Sequence, residues 1–126
     1  MSDRSKELER ALEAYEQVTT LPASHGIDAF QDTTIEAVFG RVWTRSGLTR
    51  KERRWITLSV AAMTGSPVAV ESHLRAALAS GDISDEELLE WTIHFAHYAG
   101  WPLAANSYMV LRRVQAEIAA SQADTD

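Results

Sequence analysis

The stretch TRKERRWITLSVAAMTGSPVAVESHLRAALA, residues 49–79, decides the fold. It opens on a Thr-x-x-Glu capping box, Thr49 with Glu52, in which each side chain satisfies a backbone donor that a first helical turn leaves free. The apolar run from Trp55 to Met63 lacks the alternating period of a strand, so a helix is predicted through it, with Gly65 as its C-terminal cap. Ser66 followed by Pro67 is a second start signal: the hydroxyl caps, and proline takes the first helical position, where its missing N–H is no loss. The second helix is predicted to reach Ala79 before Gly81. It carries Glu71, His73 and Arg75.

Helical signals continue outward on both sides. Residues Asp3 to Thr19 place Leu8, Ala11, Leu12, Tyr15 and Val18 at helical spacing with charges between them, which predicts an amphipathic helix ended by the stretch Pro22 to Gly26. A further helix is expected from about Asp28 to Phe39, with Phe30, Ile35, Val38 and Phe39 on its apolar face and Gly40 interrupting it. Val42 to Leu48 then forms an aromatic and basic connection. Beyond residue 79, Ser84 and Glu87 make another capping box that opens a helix from about Asp85 to Tyr98, closed by Gly100. Pro102 launches a last helix to about Ala119. The expected organisation is therefore one all-α domain of about six helices. It has an N-terminal amphipathic helix and connection (1–25), a main domain (26–120) and a frayed tail (121–126).

Composition limits the function. The chain has 126 residues, a formal net charge of -6 and no cysteine. The negative charge disfavours nucleic acid and anionic membrane surfaces as partners. No apolar stretch approaches the roughly 20 residues that span a bilayer, and the polar segment Ser2 to Arg10 lacks the apolar core of a signal peptide, so a cytoplasmic protein is expected. Without cysteine there is no thiolate to cycle through sulfenic acid and disulfide, and no thiolate zinc site. Four tryptophans and the apolar run 55–63 amount to more apolar surface than so small a subunit hides, which points to self-association.

Three segments in fixed order resemble one family. They are Phe39-Gly-Arg-Val-Trp-Thr-Arg-Ser-Gly-Leu48; Glu52-Arg-Arg-Trp-Ile-Thr-Leu58 leading into Glu71-Ser-His-Leu-Arg-Ala-Ala77; and His97-Tyr-Ala-Gly-Trp-Pro-Leu-Ala-Ala-Asn106. Together they are similar to the carboxymuconolactone decarboxylases, over about Gly26 to Glu117. The resemblance implies the alkylhydroperoxidase D-like all-α bundle with a central helical hairpin, assembled as a homohexamer of three dimers. The peroxidase branch of that superfamily carries Cys-x-x-Cys-x-x-x-His. Aligned on His73, its cysteines fall on Ser66 and Ala69, and its upstream acidic residue falls on Arg54, so both sulfurs and the acid are missing here.

That departure points to the decarboxylase side. The resemblance implies a cofactor-independent carboxy-lyase that acts on γ-carboxymuconolactone or a related carboxylated lactone in aromatic-compound catabolism. The lactone itself would accept the electron pair, so neither metal nor organic cofactor is needed. Two alternatives stand beside it: a lyase or isomerase on another lactone, and a non-catalytic oligomeric protein that binds a small molecule.

The chemistry asks for donors to a developing enolate oxygen, a proton source and an apolar place for the departing carboxylate. The expected catalytic set is His73, Glu71 and Arg41. His73 would serve as general acid or as donor to the lactone oxygen, the alternative being a satisfied packing histidine. Glu71 lies two residues away, on a different part of the helix surface. Arg41 and Arg45 flank Trp43, where guanidinium groups can clamp a carboxylate against an aromatic wall, unless they are a plain surface pair. The expected substrate-binding set is Arg45, Trp43, Arg75, His97, Tyr98 and Asn106. Tyr98 and Asn106 have the simpler alternative of satisfying backbone groups. His94 and His97, at i and i+3, share a helix face but have no third ligand at motif spacing, so no metal site is expected. Arg50 to Arg54 is expected to be a solvated first turn or an intersubunit salt-bridge face, and Trp55, Trp91 and Trp101 to be packing residues.

Overall fold

A computed structural model describes residues 2–125; Met1 and Asp126, the latter being the end of the expected tail, lie outside them. The described residues are helical, with no strand among them: α1 (Asp3–Thr19), α2 (Ala29–Thr33) running on into a π-helical segment (Thr34–Val42), α3 (Arg50–Met63), α4 (Pro67–Ala79), α5 (Asp85–Ala99) and α6 (Trp101–Thr125). The all-α expectation is met. The chain forms two compact units, Met1–Arg53 and Arg54–Asp126.

In the first unit, Ser2 caps α1 by accepting from the Ser5 N–H, and Thr20 ends it in the left-handed region at φ 59°. The buried face of α1 is Ala11, Ala14 and Val18, and it packs on the π-helical segment, where Ile35 is fully buried. Tyr15 meets Phe39 edge-on at 4.9 Å, and Phe39 stacks on Trp43. Asp28 caps α2 by accepting from the Gln31 N–H.

Gly40 does not interrupt this helix. The chain widens instead into i→i+5 hydrogen bonds, the last from the Trp43 N–H to the Val38 carbonyl at 3.0 Å, and stays helical to Val42. The glycine is there for proximity: a Cβ on it would lie 2.8 Å from the Ala11 Cβ. Two helix backbones come close at this point because only the Ala11 methyl stands between them.

The second unit gathers α4, α5, α6 and α3 from Arg54 onward around one core. It includes Leu58 and Ala62 of α3, Val70, Leu74 and Ala77 of α4, Leu88 and Phe95 of α5, and Leu111 and Val114 of α6. The predicted starts hold. Thr49 and Glu52 exchange their reciprocal bonds, Ser66 accepts from the Ala69 N–H, and Ser84 with Glu87 forms a complete capping box. Gly100, at φ 103°, a value L residues rarely adopt, turns α5 into α6. α6 begins one residue before Pro102 and continues to Thr125, so Ser121 to Thr125 are helical rather than frayed. Among the described residues no helix is long and apolar enough to cross a membrane.

Candidate active site

His73 sits on α4 between Val70 and Ala77 in register, at the edge of the stripe that enters the core, and is half-buried. Across the Thr64–Ser66 turn, α3 presents Arg54 one helical turn before Leu58, on the face that also buries Ala61 and Ala62. Arg54 is only 4% exposed, and its Nε donates to Asp82 Oδ2 at 2.7 Å. The expectation that residues 50–54 form a solvated turn fails at this residue. The physical reason is register: positions 54, 58 and 61 fall on one side of an α-helix, so the last arginine of the run faces inward and Asp82 supplies its counter-charge.

The imidazole of His73 is pushed below its ordinary value of 6.5, first by burial and then by the positive charge of Arg54. Near neutral pH it is therefore the uncharged form, with one ring nitrogen a donor and the other an acceptor.

Glu71 and Arg75 face another way. Arg75 donates to Glu71 at 2.9 Å and to Glu117, while Arg113 donates to both oxygens of Glu71 at 3.1 and 3.2 Å and to Glu117 at 3.3 Å. The two arginines hold the Glu71 carboxyl down to about 2, Arg113 more strongly than Arg75. A carboxylate so held has no proton to give near neutrality, and Arg75 already has two carboxylates. Glu71 and Arg75, expected in the catalytic and binding sets, are engaged with Arg113 and Glu117, and these side chains tie α4 to α6. Their partners lie 42 residues away in sequence, where no local pattern points to them.

The third matching segment is split between surface and turn. The Asn106 amide donates to the Gly65 carbonyl at 3.4 Å, so it closes the α3–α4 turn, the simpler of its two expected roles. His97 is exposed; its Nδ1 lies 2.8 Å from the Ile93 carbonyl and its ring meets Trp101 edge-on. Tyr98, 85% exposed, stacks on His94 at 5.1 Å. Trp101 is 66% exposed, which corrects its expected packing role: as the first residue of α6 it stands outside the core, edge-on to His97, and lines an apolar concavity with Ile93, Ala96 and Ala104. An open concavity of about 720 Å³ runs along α5, with Trp55, Trp91 and Ile93 on its apolar wall and Glu90, His94 and His97 at its rim.

Arg41, Trp43 and Arg45 belong to the first unit. Arg41 is exposed beside a concavity of about 400 Å³ that Arg4, Glu36 and Gly40 also line. Trp43 is half-buried against Phe39, and the Arg45 carbonyl accepts from the Arg53 guanidinium at 3.0 Å. Among the described residues, no three or more His, Asp or Glu side chains are grouped to hold a metal ion.

Sequence reasoning missed Arg54 and Asp82 as members of the site. Arg54 carried a usable signal, its i, i+4 spacing to Leu58; Asp82, in a turn between Gly81 and Ile83, carried none.

What these features define is a helical chain with a neutral, half-buried imidazole on α4, a buried arginine on α3, and no cysteine. A sequence model of the carboxymuconolactone decarboxylase family matches residues 28–113, and the chain belongs to that family. It is 36% identical over 80 residues to 4-carboxymuconolactone decarboxylase of Acinetobacter baylyi, which covers 64% of this chain and 58% of that protein. It is 30% identical over 83 residues to nitrosuccinic acid decarboxylase of Metarhizium robertsii, covering 66% and 57% respectively. The chain thus spans somewhat more than half the length of each of these relatives.

Proposed function

We propose that the chain is a cofactor-independent carboxy-lyase, acting on γ-carboxymuconolactone or a related carboxylated lactone in the breakdown of aromatic acids. The observation that carries this is the family membership joined to His73, which keeps the family's histidine position while both sulfur positions of the peroxidase branch are Ser66 and Ala69. The two relatives' names support the same chemistry from different substrates. A carboxymuconolactone and a nitrosuccinic acid each join a departing carboxylate to a group that can accept an electron pair, an unsaturated lactone in one and a nitro group in the other.

In the proposed reaction the bond from ring carbon to carboxylate breaks, and its electron pair enters the conjugated lactone, so that the carbonyl oxygen gains negative charge. One proton then adds at a different ring carbon. Substrate anion plus one proton gives carbon dioxide plus the decarboxylated lactone. A neutral His73 suits the first step as a donor to that oxygen better than it suits the second as a general acid, because an imidazole held uncharged keeps its N–H but has no extra proton to release. Self-association, as a hexamer of three dimers in the cytoplasm, belongs to the same proposal. Exposed Ile56, Val60 and Met63 on α3 and Tyr108 and Met109 on α6 support it.

The test is carbon dioxide release by the purified, metal-stripped protein from a panel of carboxylated lactones, with nitrosuccinic acid included. Turnover is expected with at least one lactone. His73→Gln is expected to lower kcat about 100-fold or more, the range in which the loss of a positioned donor to a developing oxyanion falls. Saturable binding of every lactone without release of carbon dioxide would identify a binding protein instead.

A further inference from the structure

We propose that the first unit carries a binding site for a small aliphatic dicarboxylate, in the cleft that Arg4 and Arg10 of α1 form with Arg41 of the π-helical segment. All of its residues lie outside the unit that holds His73, so the site stands or falls apart from the proposed decarboxylation.

The cleft owes its shape to two features of the backbone. One is the close approach of Gly40 to Ala11, where a Cβ on the glycine would lie 2.8 Å from that of Ala11. The other is the widened turn. In an α-helix the residue five positions after Glu36 would lie about 140° around the axis from it, at 100° per residue, on a different face. A segment closed by i→i+5 hydrogen bonds brings that residue, Arg41, back toward the face of Glu36. Glu36, Gly40 and Arg41 accordingly line one concavity of about 400 Å³ with Arg4, Glu7, Leu8 and Arg10 of α1. Such π-helical stretches are rare, and they occur often at functional sites.

The charges that line the cleft are unevenly paired. Glu36 has both oxygens engaged: Oε1 lies 3.9 Å from an Arg4 nitrogen and Oε2 lies 3.4 Å from His25 Nε2. Among the described residues Arg10 and Arg41 make no ion pair, and of the lining carboxylates Glu7 alone is left to set against them. Three arginines against two glutamates leave a local positive excess in a chain whose net charge is -6.

The lining also selects among anions. Each guanidinium offers two parallel N–H donors, the geometry that a carboxylate accepts. Leu8 and the buried Ala11 give the cleft an apolar base. Two carboxylate receptors over an apolar base suit two carboxylates joined by a short carbon chain. Inorganic phosphate has no carbon to lay on that base, and a monocarboxylate leaves one receptor unused.

The experiment titrates succinate into the full chain by calorimetry, with butyrate and inorganic phosphate as comparison anions, and maps the site from amide shifts in the isotopically labelled protein. Saturable succinate binding is expected, with shifts within residues 4–11 and 36–41. Butyrate and phosphate are each expected to bind about 10-fold more weakly or worse, and Arg10→Gln and Arg41→Gln each to weaken succinate by about 10-fold or more, the worth of one charged hydrogen-bonded pair. Both side chains are exposed, so the variants are expected to fold, with far-UV circular dichroism as the check.

Four results would each overturn the proposal: no saturation by succinate, affinity that survives both glutamine variants, phosphate bound as tightly as succinate, or shifts confined to the surroundings of His73. The last would place the dicarboxylate at the proposed reaction site instead. Turnover of a lactone enters none of these readouts, so the decarboxylation can fail while the cleft stands, and the reverse.

Discussion

Replacing Gly40 by alanine tests the packing of the first unit at its tightest point. The added Cβ would stand 2.8 Å from the Ala11 Cβ and 3.4 Å from both the Ala11 Cα and the Ile35 carbonyl oxygen. Carbon atoms prefer about 3.5–4.0 Å, so α1 and the π-helical segment have to separate by about 1 Å, and a gap of about that size forfeits a quarter to a half of each contact it opens. At risk are the burial of Ala14, Val18 and Ile35 and the Tyr15–Phe39 ring pair. Neither atom that clashes is the end of a flexible side chain, so nothing can swing aside. Overpacking of this kind costs about 1–3 kcal/mol, while Gly→Ala inside a helix returns about 1 kcal/mol of propensity, so a net loss of up to about 2 kcal/mol is expected. Urea unfolding followed by far-UV circular dichroism reads it as a lower midpoint. The companion is Ala11→Gly, which removes the opposing Cβ: in the double variant the two effects should fail to add, with a favourable coupling of about 1 kcal/mol or more. A Gly40→Ala chain with a higher midpoint than the wild type would refute the close-approach reasoning and leave only the propensity gain.

Two further outcomes follow from polar groups. Ser107 is fully buried and its hydroxyl has no hydrogen-bond partner, so Ser107→Ala is expected to be neutral or to stabilise by about 1 kcal/mol, measured as the urea midpoint; a clear loss would mean that the hydroxyl is bonded. The Glu71 carboxyl has an ordinary value of 4.5 and a folded value of about 2, so its ion pairs support the fold fully above pH about 4.5, and that support is lost as pH falls toward 2. Glu71→Gln should therefore unfold more readily than the wild type at pH 7 and equally readily near pH 2. The difference should shrink in high salt, since the network is exposed, and a gap that persists at low pH would contradict the ion-pair origin.

Helix starts were the most legible part of the chain, because each is written in a few adjacent residues: Thr49 with Glu52, Ser66 with Pro67, Ser84 with Glu87. Gly40 misled because a glycine in a helical pattern has two meanings, a stop and a close approach, and only the partner helix distinguishes them. The site was legible in proportion to how local it was. His73 could be placed by a motif, whereas the fates of Glu71 and Arg75 were decided by Arg113 and Glu117, and that of Arg54 by Asp82, 28 residues on. An arginine counted within a basic run reads as solvated. The same arginine counted backward from Leu58 in steps of four reads as buried, and the second count is the one the fold obeys.

The lowered value of His73 bears on which of two roles it could take in the proposed reaction. A residue that transfers a proton to carbon must carry that proton at the working pH, and for a histidine this requires a folded-state value at or above the surroundings, commonly secured by a neighbouring carboxylate. Here burial, and after it the positive charge of Arg54, push the imidazole the other way, and the Asp82 carboxylate is bound to Arg54. Charge stabilisation has a different requirement. A donor aimed at an oxygen that becomes negative works best when it is fixed in place and does not itself give up the proton, since reorganisation then adds nothing to the barrier. A half-buried neutral imidazole on a capped helix meets that requirement. In the proposed decarboxylation, the proton that ends on carbon would then come from a group other than His73. Glu71, held at about 2, is not that group either, which leaves water or a residue outside the set marked by the sequence.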